Sequence, residues 1–264
     1  MKIEKTTIVT ALFDIGRDKW DNYHQSYDTY LTWMKNILSI DSSMVIYTEK
    51  KFEEFILSER KKVDEHLIKT IVVTNQMEEL ESYNLFYDKI KNLMYSEDFK
   101  RKIHFQVPEM TKPLYNTIIF NKLFFIRESI ENKHFDSDMY IWCDAGMLRN
   151  DSDKGKTNVP NLEKVNNGYN KKITFFSHSE TFPKISEYEH LLGQYRFIHG
   201  GCFFVPNNGS LEELINDFVE MVYEFLQKGY VGSEEKYLDL CFLKKTNNFN
   251  LVKSDWRQYF EIFK

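Results

Sequence analysis

Cysteine is scarce in this 264-residue chain. The three that occur, at 143, 202 and 241, are odd in number, far apart and set in apolar runs. No pair has zinc-site or redox spacing, so a disulfide framework is excluded and three reduced, buried thiols are expected, as in a cytoplasmic protein. The N-terminal stretch MKIEKTTIVTALF has neither the apolar length nor the cleavage site of a signal peptide. No apolar run nears the roughly 20 residues that span a bilayer. Peripheral contact with the inner face of the membrane, through aromatics and lysines, stays open. A basic surplus is also missing: 35 Lys plus Arg stand against 40 Asp plus Glu, a net charge of −5. That balance argues against a general nucleic-acid binder, which needs cations to neutralise phosphates. There is no glycine-rich phosphate loop, since DIGRDKW has a single glycine, and there is no G-x-S-x-G or H-E-x-x-H. The seven histidines show no metal-ligand spacing, although His178, His190 and His199 lie in one region. Without a low-complexity linker or an internal repeat, residues 1–264 read as one domain.

Aromatic residues are what the chain has in abundance. They make up 16 %, with 22 Phe and 16 Tyr, which excludes disorder and supplies a large core. TTIVTALF (6–13) has the β-branched, apolar character of a buried strand. The spacing of Tyr23, Tyr27, Tyr30, Leu31, Met34 and Leu38 then predicts a helix. SSMVIYTE (42–49), a helix over KKFEEFILSERKKV and a strand in LIKTIVVTN (67–75) follow. Strand, helix, strand, helix, strand is the signature of a parallel α/β sheet. Residues 76–110 suggest helix with a loop around Pro108. One long helix is predicted after Pro113, over LYNTIIFNKLFFIRESIEN. ITFFSHS (173–179) and FIHGGCFFVP (197–206) read as strands. The stretch 210–229 reads as a helix with Ser210 as N-cap and Gly229 as C-cap, and 233–245 as another opened by Ser233.

Residues 138–150, DMYIWCDAGMLRN, carry a buried strand straight into Asp144, with Gly146 allowing a tight turn. In an open α/β sheet the C-terminal strand edge is where ligands bind, which makes Asp144 a candidate to hold a negative charge toward a ligand. After the first strand, Thr10 and Ala11 offer backbone to a nucleobase. Phe13, Arg17 and Trp20 could clamp a nucleotide by stacking and charge, or Trp20 could simply close the core. Gly200 and Gly201 let a bulky ligand approach the backbone closely, or mark a bulge. Glu234 and Glu235, in the first turn of the last predicted helix, meet the helix dipole favourably and are also candidates for a general base. Neighbours on a helix project about 100° apart, so one should face the cleft, Glu235 in preference, and the other solvent.

This order of parts resembles a nucleotide-sugar glycosyltransferase of the GT-A type. Through TTIVTALFDIGR, NKLFFIRESIENKHFDSDMYIWCDAGMLRN, FIHGGCFFVP and EEKYLDLCFLKK, the chain resembles the HtrL/YibB-like family of bacterial proteins, which is associated with surface-polysaccharide genes. WCDAG, with Asn121 and Lys122 on the preceding helix, is the most specific segment. The resemblance implies a GT-A-like (Rossmann-like) α/β domain with a central, mostly parallel sheet flanked by helices. It also implies transfer of a sugar from a nucleotide-sugar donor to a glycan or lipid-linked saccharide acceptor such as lipopolysaccharide or capsule, by a retaining or inverting route. The alternatives are a non-catalytic glycan- or nucleotide-sugar-binding protein and a nucleotidyltransferase. GT-A enzymes carry Asp-x-Asp where this chain has Asp144-Ala145-Gly146. A divalent Mn²⁺ or Mg²⁺ on Asp144, with His199 or Asp255 completing the set, is the implied cofactor. The rival is a metal-free site that places Arg17, Lys122 or Arg149 on the phosphates.

Overall fold

The computed structural model describes residues 5–149, 171–179, 181–182 and 184–254. Its frame is a sheet of seven strands: β1 Thr6–Leu12, β2 Ser43–Thr48, β3 Thr70–Thr74, β4 Met139–Cys143, β5 Ile173–Ser177, β6 Cys202–Pro206 and β7 Phe249–Lys253. Their order is β3-β2-β1-β4-β6-β5-β7. β1 pairs in parallel with β2 and β4, β2 with β3, and β5 with β7, whereas β6 runs antiparallel to β4 and β5. This is the α/β architecture the resemblance implies, a central, mostly parallel sheet flanked by helices.

The apolar runs are continuous because both faces of the sheet are covered. Alternation sends Val9, Tyr140 and Trp142 to one face, against α3 (Glu81–Tyr95), α7 (Lys122–Glu131), α8 (Glu187–Leu192) and α9 (Ser210–Gln227). Ile8, Ile141 and Cys143 go to the other face, against α1 (Tyr27–Leu38) and α2 (Lys50–Arg60). Phe125 of α7 stacks on Tyr47 at 4.4 Å, Phe13 at 5.9 Å and Trp142 at 6.1 Å, which ties the helix to three strand ends. All three cysteines are free and buried. No described helix is long and apolar enough to cross a membrane.

Several boundaries differ from the sequence reading. α1 begins at Tyr27, because Ser26 caps it by accepting from Thr29 N at 3.2 Å; Tyr23 lies outside in a left-handed conformation. Residues 76–110 hold three helices, α3, α4 (Glu97–Lys102) and α5 (Pro108–Thr111). The cap of α9 is Gly209, at φ 85°, so Ser210 is its first residue. Its far end is as expected: Gly229, at φ 77°, and Tyr230 return amide hydrogens to Leu226 and Phe225. β6 is shorter than the predicted strand, and Gly200 and Gly201 form the turn that precedes it.

The long helix after Pro113 is broken at Asn121 into α6 (Pro113–Phe120) and α7. α3 has no side-chain cap of its own, and Asn121 supplies one by accepting from Ser82 N at 3.0 Å. Ser82 Oγ in turn donates to Thr117 O at 2.7 Å. Lys122 is the first residue of α7, directly after Asn121.

Candidate functional site

β1 and β4 are parallel neighbours, so their C-terminal ends share one edge of the sheet. β6 is antiparallel, so its beginning arrives at that same edge. Cys143 pairs with Cys202, and Asp144 N donates to Gly201 O at 2.9 Å. Strand reversal, which the sequence does not display, is therefore what brings the acidic turn and the double glycine together.

Asp144 continues the alternation of Tyr140 and Trp142 and faces α7. Trp142 Nε1 donates to its Oδ1 at 2.7 Å, and Lys122 Nζ lies 2.9 Å from the same oxygen. Lys122 also donates to Gly200 O at 2.9 Å and to Glu234 Oε1 at 2.5 Å. Its side chain is 6 % exposed and that of Glu234 7 %, whereas Asp144 keeps 40 %. Burial opposes the charge on Lys122, but Asp144 and Glu234 outweigh it and hold the ammonium above its usual range. An ammonium has three N–H donors. Here all three are engaged by the protein, so Lys122 positions Asp144 rather than reaching for a phosphate.

α10 (Glu234–Lys244) buries Glu234 and leaves the Glu235 side chain only 15 % exposed, and neither lines the cleft, contrary to the expected split between cleft and solvent. Glu235 Oε1 accepts from Gly200 N at 2.9 Å, and its Oε2 lies 3.2 Å from Arg196 Nε. Arg196 continues to Glu109 at 2.5 Å. A Cβ on Gly200 would sit 2.6 Å from Glu234 Oε1 and 2.7 Å from Glu235 Cγ. The two carboxylates, and not a ligand, therefore demand glycine at 200.

Burial first, then repulsion from Glu234, pushes Glu235 up from 4.5 to about 7, against the pull of Arg196 and Lys122. The folded chain then keeps a proton that the unfolded chain releases near 4.5. This group's contribution is full below 4.5 and is lost as pH rises to about 7. Urea midpoints from pH 4 to 8 should fall across that window in the wild type and fall less in Glu235→Gln. Equal slopes in both proteins would contradict the assignment.

The cleft beside this cluster has a volume of about 160 Å³. Its described lining includes Ala11, Phe13, Arg17, Lys122, Asp144, Gly146, Arg149 and Gly201. The volume is below the roughly 300–1,000 Å³ of an ordinary small-molecule pocket, so a nucleotide sugar would extend beyond it. Arg17 lies over Trp20 and Tyr30, each at 5.5 Å, and hydrogen-bonds the Tyr30 hydroxyl. Arg149 lies 4.6 Å over Trp33, and its Nε donates to Gly146 O at 2.7 Å. Gly146 is not left-handed; a Cβ there would press on Trp33 at 3.2 Å.

Other expected residues lie elsewhere. Thr10 is fully buried within β1, its hydroxyl without a partner among the described residues, and does not line the cleft. His199 is buried, with its ring 3.9 Å from that of His178, and is also absent from the lining. Asp255 lies outside the described residues. Tyr27, Tyr30, Tyr115 and Trp142, which the sequence reading did not assign to the site, do line it. The i, i+3 pairing of Tyr30 with Trp33 was the signal available for the α1 side.

The described residues fit a divalent cation poorly. Asp144 Oδ1 is already shared by an ammonium and an indole N–H. Among the described residues no three His, Cys, Asp or Glu side chains are grouped to hold a metal ion.

Comparison with known proteins gives several likenesses. The chain is 20 % identical to Protein HtrL of Escherichia coli (strain K12) over 281 residues, 98 % of this chain and 91 % of that protein. Among solved structures, the glycosyltransferase GlyE of Streptococcus pneumoniae TIGR4 aligns with a TM-score of 0.45 at 10 % identity, over 95 % of this chain and 45 % of that one. The galactosyltransferase LgtC, in complex with donor and acceptor sugar analogs, aligns at 0.42 and 10 %, over 93 % and 73 %. The 4-diphosphocytidyl-2C-methyl-D-erythritol synthase of Anaerococcus prevotii DSM 20548 aligns at 0.42 and 9 %, over 96 % and 90 %. The family model described as "Bacterial protein of unknown function (HtrL_YibB)" matches residues 4–264, and the chain belongs to that family.

Proposed function

We propose that the chain is a cytoplasmic, single-domain glycosyltransferase that takes a sugar from a nucleotide-sugar donor and passes it to a bacterial surface-glycan or lipid-linked acceptor. One observation carries this reading. The cleft at the C-terminal edge of β1 and β4 is lined, among the described residues, by three cations, Arg17, Lys122 and Arg149, and one anion, Asp144, in a protein whose net charge is −5. Its walls are aromatic. Two aromatic-backed guanidiniums suit a diphosphate, since Arg presents paired donors to phosphate oxygens. The aromatic rings offer stacking surface to a base. The exposed part of Asp144 can accept sugar or ribose hydroxyls.

A non-catalytic binding protein is the second reading, and it too rests on a specific feature. Glu234 and Glu235 are committed to Lys122, Gly200 and Arg196, which leaves Asp144 as the acid among the described lining residues. An inverting transfer would need a proton acceptor within hydrogen-bond reach of the acceptor hydroxyl.

Thermal melting with a panel of nucleotide sugars, with and without Mn²⁺, tests donor binding. A ligand at 100 times its dissociation constant adds about 2.7 kcal/mol, a visible shift. One donor class should stabilise the wild type, and Arg17→Ala combined with Arg149→Ala should weaken that binding by about 100-fold, or about 1.4 kcal/mol per guanidinium. No shift with any nucleotide sugar would refute the reading.

A further inference from the structure

Resting on the donor-site reading above, we propose that the Lys122 ammonium is the resident cation of this site. It fills the oxygen cage that a divalent metal ion would otherwise occupy, and leaves Asp144 to serve donor hydroxyls.

Three oxygens from three separate parts of the chain converge on one nitrogen. They are Asp144 Oδ1 after β4 at 2.9 Å, Gly200 O before β6 at 2.9 Å, and Glu234 Oε1 on α10 at 2.5 Å. Two carboxylates and a carbonyl are the ligand chemistry of a hard cation, which binds oxygens at about 2.0–2.6 Å. The nitrogen reaches the cage because the helix breaks at Asn121 and restarts at Lys122. With an ammonium at its centre, the cage cannot also admit a divalent ion, since like charges at such separations repel strongly and the donor oxygens are already turned inward. Trp142 Nε1 further occupies Asp144 Oδ1. Lys122 thus holds the place beside Asp144 that a metal would take, while Arg17 and Arg149 are left to meet the phosphates.

The cage should become a metal site once the lysine is removed. The probe is MnCl2 alone on the full chain, followed by calorimetry and by melting with and without EDTA. Wild type should show no saturable Mn²⁺ binding. Lys122→Ala should melt lower in EDTA, recover with Mn²⁺, and bind Mn²⁺ at least about tenfold more tightly than wild type. Adding Glu234→Gln to Lys122→Ala should remove that rescue. Saturable Mn²⁺ binding by wild type that Asp144→Asn abolishes would overturn the proposal, as would a folded Lys122→Ala that gains no affinity. Should Lys122→Ala fail to fold, the wild-type and Asp144→Asn titrations decide the matter, and Lys122→Met offers an uncharged replacement of similar bulk. No nucleotide enters the experiment, so its failure is distinct from failure of the donor reading.

Discussion

Asp144→Asn should lower sugar transfer by on the order of 10²–10³-fold, the range seen when one preorganised polar contact to a reacting group is lost. The fold should survive. Asparagine keeps an oxygen for the Trp142 indole and is tolerated in a turn. Lys122 still has Glu234 and Gly200 O. Asp144 is 40 % exposed, so water can solvate part of what the lost charge leaves behind. The melting temperature should therefore stay within about 5 °C of wild type. Circular dichroism melting beside a transfer assay separates the outcomes. Normal turnover would make Asp144 a turn residue only, and global unfolding would make it structural.

The largest stability effect is expected at Gly200. A methyl group there meets Glu234 Oε1 at 2.6 Å and Glu235 Cγ at 2.7 Å, distances at which something must move. Neither carboxylate can swing away cheaply, because Glu234 neutralises buried Lys122 and Glu235 accepts from the Gly200 amide. Overpacking together with a disturbed buried ion pair should cost about 2–4 kcal/mol in Gly200→Ala. For a chain of this size that corresponds to roughly 5–15 °C in melting temperature. Adding Glu235→Ala should be less than additive, since the second change removes one of the colliding atoms. A Gly200→Ala protein that melts like wild type would refute this account of the double glycine.

The sequence shows some of this plainly. β1, β2 and β4 are legible because buried strands are unbroken apolar runs, β3, a part-exposed edge strand, because it is a β-branched run, and Asp144 stands out because it ends a buried one. The break at Asn121 is not legible. The amphipathic pattern continues through it, and the task of Asn121 at that point, capping α3, involves a partner 39 residues away. Arg17, Lys122 and Arg149 could be named as cations, but their separate tasks depend on partners distant in the chain: rings for the arginines and an oxygen cage for the lysine. Glu234 and Glu235 were misjudged in orientation for a similar reason. A first-turn acid reads as surface charge until Lys122 and Arg196 are seen against it. Of the expected pair Thr10 and Ala11, only Ala11 lines the cleft: the lining takes Ala11, Leu12 and Phe13 from the end of β1, and Thr10 lies one residue too far back along the strand.

The most direct test of the transferase reading is release of nucleoside diphosphate from the nucleotide sugar that stabilises the chain best, followed by chromatography with water or a glycan as acceptor. Wild type should release it, faster with an acceptor present, and Asp144→Asn should release it on the order of 10²–10³-fold more slowly. A donor that binds saturably but stays intact with every acceptor offered would contradict the transferase reading, and would leave a protein that holds nucleotide sugars without transferring them.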